Sequence, residues 1–205
     1  MEPIFPNSGH VSNAPAERPI STDHQSIDLQ GWFTLTESKV YRSLVNRIRS
    51  GIVVEVGVWK GRSISTILDV CRANQNRLFA VDTWAPNLCE NGYPEAAEHD
   101  IAEIFRNNLI RLGHTGTVEI IQEDSQQAAT RFPDGSIDLV FVDGDHSYEA
   151  VKRDLQAWLP KVTKGGILSG HDFTTRMGVY RAVDEMFGAR VALPGGSIWV
   201  VRKTS

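Results

Sequence analysis

Residues 137–146 read IDLVFVDGDH, an apolar run that ends in Asp143, Asp145 and His146 with Gly144 set between the acids. The run Ile137–Val142 has the pattern of a buried strand. Acids at the end of such a strand are costly unless they are paired or bind a cation. The residue types suit two tasks: a carboxylate can hold a divalent ion, and a neutral imidazole can accept a proton near neutral pH. Gly144 would let the chain turn sharply enough to present both groups. Asp145 would orient His146 or cap the next helix, a role Ser147 also suits.

A second constellation lies earlier. Glu55-Val56-Gly57-Val58-Trp59-Lys60-Gly61 follows an apolar run and opens a helical pattern. Glycines in such a turn let a ligand approach the backbone, and the start of the helix offers N–H groups to an anion. Trp59 stands where a dinucleotide fingerprint would have its middle glycine, which fits poorly with a pyrophosphate against the loop. Asp82 ends the next apolar run, at an edge expected to be exposed, and can accept hydrogen bonds from ribose hydroxyls. Glu123-Asp124-Ser125 ends a third and can meet the polar edge of an adenine. Three acids at successive strand ends of one sheet favour a nucleoside-bearing ligand over coincidence, because open α/β sheets bind ligands along that edge.

The elements that must carry these residues alternate. A helix capped by Thr36 presents Val40, Leu44, Val45 and Ile48 on one face. Strands are expected at residues 52–56, 77–81, 118–122, 137–142 and 166–169. Helices are expected from about Gly61 (with Ile64, Ile67, Leu68 and Cys71 inward), over 101–112, after Ser147 (with Tyr148, Val151, Leu155 and Trp158 inward) and over 179–187. Strands separated by helices imply right-handed crossovers and a doubly wound, mostly parallel α/β sheet. Arg190–Leu193 and Ser197–Val201 flank Pro194-Gly195-Gly196, which predicts a C-terminal antiparallel hairpin.

The chain has 205 residues, 41% hydrophobic and 22% charged, with a formal net charge of -4, a composition that suits a globular domain and gives no basic excess for nucleic acid. No apolar run has the length of a membrane span, and the N-terminus lacks a signal-peptide pattern. Cys71 and Cys89 have no metal-ligand spacing. The expected setting is the cytoplasm, with a small-molecule substrate, no nucleic acid and no membrane; homo-oligomer formation stays open. Residues 1–30, rich in proline and without apolar period, are expected to form a flexible arm before a domain over 31–205. Ala85–His99 reads as a lid over the substrate.

The stretches VVEVGVWKGRS, FAVDTW, QEDS and VDGDHSYEAVKRDLQAW…GGILSGHDF resemble the class I S-adenosylmethionine-dependent methyltransferases. The likeness is closest to small-molecule O-methyltransferases of the catechol and metal-dependent macrolide-sugar types. It covers roughly residues 31–203 and implies the seven-stranded Rossmann-like sheet of that class. It also implies a cofactor-binding set. Glu55 and Gly57 would line the methionine end of S-adenosyl-L-methionine, with Trp59 and Gly61 in the same loop. Ser63 would meet the cofactor's carboxylate, Asp82 with Thr83 the ribose, and Asp124 and Ser125 the adenine; Asp143 would face the sulfonium. By the same likeness Asp143, His171 and Asp172 are the matching metal ligands and His146 the matching catalytic base, with Asp143 beside it. His171 stands where those relatives have an acid. That weakens the case for Mg and suits Mn, Fe or Zn better. Two other readings are a nicotinamide-dependent oxidoreductase and a cofactor-binding partner protein without chemistry.

Overall fold

The computed structural model describes residues 29–86 and 98–204. The arm over 1–30 and the lid over Ala85–His99 therefore fall almost wholly outside the described residues.

Helix α1 (Leu35–Val45) opens on Thr34, whose hydroxyl accepts from the Glu37 N–H while the Glu37 carboxylate accepts from the Thr34 N–H. This reciprocal capping box moves the start two residues ahead of the expected Thr36 cap. Strand β1 (Ile52–Val56) follows. The single helix expected from Gly61 is instead two short ones, α2 (Arg62–Ser65) and α3 (Leu68–Ala73). Then come β2 (Arg77–Val81), α4 (Ile101–Arg111), β3 (Val118–Ile121) and α5 (Ser125–Ala129). The chain continues through β4 (Ile137–Val142), α6 (Tyr148–Trp158), β5 (Val162–Gly170) and α7 (Met177–Phe187). It closes with β6 (Ala192–Gly195) and β7 (Ile198–Arg202).

The sheet has seven strands in the order β3-β2-β1-β4-β5-β7-β6. Strands β1 to β5 pair in parallel, and β7 runs antiparallel between β5 and β6. Alternation along the strands divides the core between two faces. Val53, Leu78, Leu139 and Phe141 pack with α1, α3 and α4, whereas Val54, Val56, Val140 and Leu168 pack with α5, α6 and α7. This is the three-layer class I methyltransferase fold.

Register is what builds the site. Val56 is level with Val81 on one side and Val142 on the other, and Val142 is level with Gly170. One further rung joins the residues just past the strand ends: Gly57 N–H to Val81 O, Asp143 N–H to Val56 O, and His171 N–H to Val142 O, at 2.8, 2.7 and 3.1 Å. Asp82, Gly57, Asp143 and His171 thus stand side by side along one edge.

Candidate active site

Gly57 has φ 81°, and a Cβ on it would lie 2.2 Å from the Asp143 carbonyl oxygen. Only glycine lets the β1 loop pass this close to the end of β4. Gly61, at φ 88°, is packed against the Phe105 ring. Gly144 differs from expectation: it has no positive φ, and a methyl group there would meet only Asp154 Oδ2, at 3.9 Å. The close approach that brings the two loops together belongs to Gly57.

Asp82 is a clamp as well as a strand-end acid. Its Oδ2 accepts from the N–H groups of Val58 and Trp59 at 2.7 and 2.9 Å, and its Oδ1 from Trp84 N–H at 2.7 Å. The edge is not simply solvated, because the carboxylate fixes the glycine loop and still lines the cavity beside Thr83. Asp124 caps α5 through the N–H groups of Gln126 and Gln127. Ser125 Oγ accepts from the Trp158 indole at 2.9 Å. Asp154, which the sequence reading left unnamed, is buried here and accepts from Gln126 Nε2 at 2.6 Å. Burial pushes its carboxyl up to about 6.

Glu55, expected to face the ligand, is fully buried. Tyr41 donates to its Oε2 at 3.0 Å, and Ser63 Oγ lies 2.5 Å from its Oε1. Ser63 does line the cavity. Burial pushes the Glu55 carboxyl up to about 8, with the nearby Asp143 and Asp82 adding to the rise.

Past β4 and β5, four side chains converge. His146 Nε2 lies 2.9 Å from Asp172 Oδ2 and 4.0 Å from Asp143 Oδ1. His171 Nδ1 lies 3.4 Å from each of the same two oxygens. Ligand atoms of Asp143, His146 and Asp172 all fall within 4.8 Å of one another. Asp172 holds this position at φ 62°, a conformation unusual for a residue with a side chain. Thr175 donates to its other oxygen. Two carboxylates with imidazole nitrogens around one point suit a divalent ion with a taste for mixed donors. The structure thus brings Asp143, His171 and Asp172 together and adds His146 to the same cluster. Asp145 accepts from Ser147 N–H at 2.7 Å, and Ser147 caps α6.

Behind His171 stands Glu37. Its Oε1 lies 3.0 Å from His171 Nε2 and accepts from the N–H and hydroxyl of Ser197, while Oε2 accepts from Thr34. Burial works against its charge, but the Ser197 and Thr34 donors win and hold the carboxyl at about 2. Burial likewise opposes charge on His171, yet Asp143 and Asp172 raise it to about 11. The contacts of His146, His171 and Thr175 keep Asp172 well below the usual carboxylate range despite its burial. Glu37 was missed, although the Thr-x-x-Glu spacing at 34–37 was in plain view.

Glu37, Ser63, Asp82, Asp143, His146, Asp154, His171 and Asp172 line one cavity of about 960 Å³, which Glu55 does not reach. Residues 31–34 form one wall, and their segment is held by Arg62 through the carbonyls of Leu29 and Phe33 and by Lys60 through Gln30. Trp32, 68% exposed, stacks on Trp59 with centroids 5.2 Å apart. Trp84 donates to the Trp59 carbonyl at 2.8 Å.

Residues 54–173, more than half of the chain, match a family described as a methyltransferase domain. An uncharacterised protein of Sinorhizobium fredii is 27% identical over 190 residues, covering 90% of this chain; the chain spans 20% of that relative's length. Among solved structures, the O-methyltransferase NovP superposes with TM-score 0.65 at 21% identity, covering 82% of this chain and 79% of NovP. CalS11, a TDP-rhamnose 3'-O-methyltransferase of calicheamicin biosynthesis, does so with TM-score 0.55 at 20% identity, covering 80% of this chain and 76% of its own. At these identities the structural likenesses speak to the fold.

Proposed function

The chain belongs to this methyltransferase-domain family, and from that premise we propose that it transfers the methyl group of S-adenosylmethionine to a hydroxyl of a small molecule. The observation that carries the reading is the single sheet edge. Cofactor-suited groups (Ser63, Asp82, Asp124, Ser125) and proton-handling groups (Asp143, His146) open onto one cavity there. NovP and CalS11, both O-methyltransferases, are in keeping with an oxygen nucleophile. The nicotinamide alternative is disfavoured by the sheet: a dinucleotide fold runs 3-2-1-4-5-6, whereas here β7 enters antiparallel beside β5.

In this reading the glycine loop, fixed by Asp82, and Ser63 hold the methionine end of the cofactor. Asp124 and Ser125 border the adenine. His146 takes the proton of the substrate hydroxyl, with Asp172 2.9 Å behind its Nε2 to orient the ring. Methyl transfer is an in-line displacement, so the chain's main contribution is alignment of the two reactants. Asp143, His171 and Asp172 would hold a divalent ion. When bound, such an ion would lower the pKa of a hydroxyl beside it.

Thermal unfolding with added S-adenosylmethionine or NAD tests the cofactor, since a ligand bound only by the native state raises the melting temperature. A shift with S-adenosylmethionine alone is expected. A shift with NAD alone would overturn the reading.

A further inference from the structure

Glu55 has no place in the chemistry above, because it does not reach the cavity. It sits on β1, an interior strand of the sheet, level with Ala80 on β2 and Phe141 on β4, and is 0% exposed. Among the described residues, the titratable groups that bear most on it are Tyr41 on α1, Cys71 on α3, Asp82 after β2 and Asp143 after β4. Each is neutral or negative, so none supplies a countercharge. An isolated buried carboxylate in such a place costs far more than the neutral acid.

Proton counting then fixes the direction of two hydrogen bonds. The Tyr41 hydroxyl is fully buried, and among the described residues Glu55 Oε2 is the acceptor within its reach. Tyr41 therefore donates to Oε2, and the acidic proton of Glu55 lies on Oε1. That proton points at Ser63 Oγ, 2.5 Å away, a usual separation for a strong O–H···O bond. With that proton on Glu55, Ser63 accepts and turns its own proton toward the cavity that it lines, whereas beside an ionised Glu55 the same hydroxyl donates to Oε1.

We propose that Glu55 acts as a neutral acid that positions the Ser63 hydroxyl as a hydrogen-bond donor to an anionic group of the bound ligand. This rests on the reading of the site as a cofactor site, which makes the anion the carboxylate of the cofactor's amino-acid end. An ionised Glu55 would reverse the relay. Ser63 would donate inward to Oε1 and show the ligand only lone pairs. Ligand affinity therefore depends on the proton held by a residue the ligand does not touch.

Calorimetric titration with S-adenosylhomocysteine at pH 6.5 and pH 9.5, on the parent and on E55Q, E55A and S63A, tests this. Loss of a hydrogen bond to a charged group corresponds to about tenfold or more in affinity. S63A and E55A are expected to bind about tenfold more weakly than the parent at pH 6.5. E55Q, a permanently neutral isostere, should restore most of that affinity. Between the two pH values the parent should weaken about tenfold more than E55Q, which shares the ligand's own titration but not that of Glu55. A tenfold loss in E55Q at pH 6.5, with no extra weakening of the parent at pH 9.5, would show an ionised Glu55 and overturn the proposal. Infrared difference spectra of the parent against E55Q decide the same point without a ligand: a protonated-carboxyl stretch present in the parent and missing from E55Q should persist at pH 7 and disappear by pH 9.5, and its absence at pH 7 would equally overturn it. No binding by the parent at either pH would sink the cofactor reading, and with it the ligand assigned to Ser63, while the infrared band still reports the state of Glu55.

Discussion

Glu37 Oε1 and His171 Nε2 lie 3.0 Å apart, joining the first turn of α1 to the loop after β5 at the floor of the cavity. The same carboxylate binds Ser197 at the head of the terminal hairpin and Thr34 ahead of the helix. One buried acid therefore brings three segments together: the start of α1, the loop after β5 that bears a candidate site histidine, and the head of the terminal hairpin. Its full set of donors explains why it stays charged at about 2.

E37A would leave the Ser197 N–H and hydroxyl buried without their acceptor and remove half of the capping box. Together these predict a loss of roughly 2–4 kcal/mol in urea unfolding. The sign with pH follows from the depressed pKa. Glu37 contributes stability that is fully present above its ordinary 4.5 and is lost as pH falls toward 2. Acid titration of the parent and E37A should show their stabilities converging over that window. An unchanged gap down to pH 2 would contradict the assignment.

The strand ends were legible because each apolar run meets a glycine or an acid directly: Val56-Gly57, Val81-Asp82, Val142-Asp143. A buried strand cannot continue through such a residue without an unpaired charge or a loss of packing. The hairpin was legible from Pro194-Gly195-Gly196, but its bounds were not: β6 (Ala192–Gly195) runs through Pro194 and Gly195, and only Gly196 and Ser197 separate it from β7. Inter-strand register and long-range partners were not legible either. Nothing near Glu37 names His171 or Ser197, and nothing near Asp82 announces that its oxygens hold the backbone of Val58 and Trp59. Glu55 was placed toward the ligand by the resemblance of VVEVGVWKGRS to the methyltransferase loop. The pleat directs its side chain into the α1 face of the sheet instead, against Tyr41. The start of α1 shows a nearer miss, since Thr34 and Thr36 look alike until Glu37 is counted from each.

Gly57 and Gly144 should respond oppositely to alanine. At Gly57 the added methyl would meet backbone at 2.2 Å and the φ of 81° is strained for any other residue, so G57A should separate the two loops. A loss of about 2 kcal/mol or more is expected. At Gly144 the nearest atom is 3.9 Å away, and G144A should stay within about 0.5 kcal/mol of the parent. Thermal unfolding of the two variants side by side checks the contrast.

Asp82→Ala removes the acceptor of three backbone N–H groups as well as a group facing the cavity. The glycine loop should loosen, at a cost of roughly 1–3 kcal/mol, and S-adenosylmethionine should bind more weakly. Denaturant unfolding and calorimetric titration read the two effects separately. Weakened binding with unchanged stability would mean that the clamp matters little and that Asp82 serves the ligand alone.

His146 and His171 share the oxygens of Asp143 and Asp172, so geometry alone allows either imidazole to be a ligand. Their surroundings separate them. His171 is buried with Glu37 Oε1 3.0 Å from its Nε2, a carboxylate placement that suits a metal-holding imidazole. His146 lies on the loop after Gly144, lines the cavity and is the more exposed of the two, at 13% against 7%, as a base that must reach a substrate hydroxyl should be. Binding of Mn to the parent, H146A and H171A, measured by the electron paramagnetic resonance of the free ion, distinguishes the roles. H171A should lose affinity about 10- to 100-fold, whereas H146A should retain it within a few-fold. Once a methyl acceptor is found, H146A should lower the transfer rate by roughly 10²- to 10⁴-fold with little change in cofactor affinity. The reverse pattern, with H146A losing the ion and H171A keeping it, would make His146 the ligand and leave the proton to another acceptor.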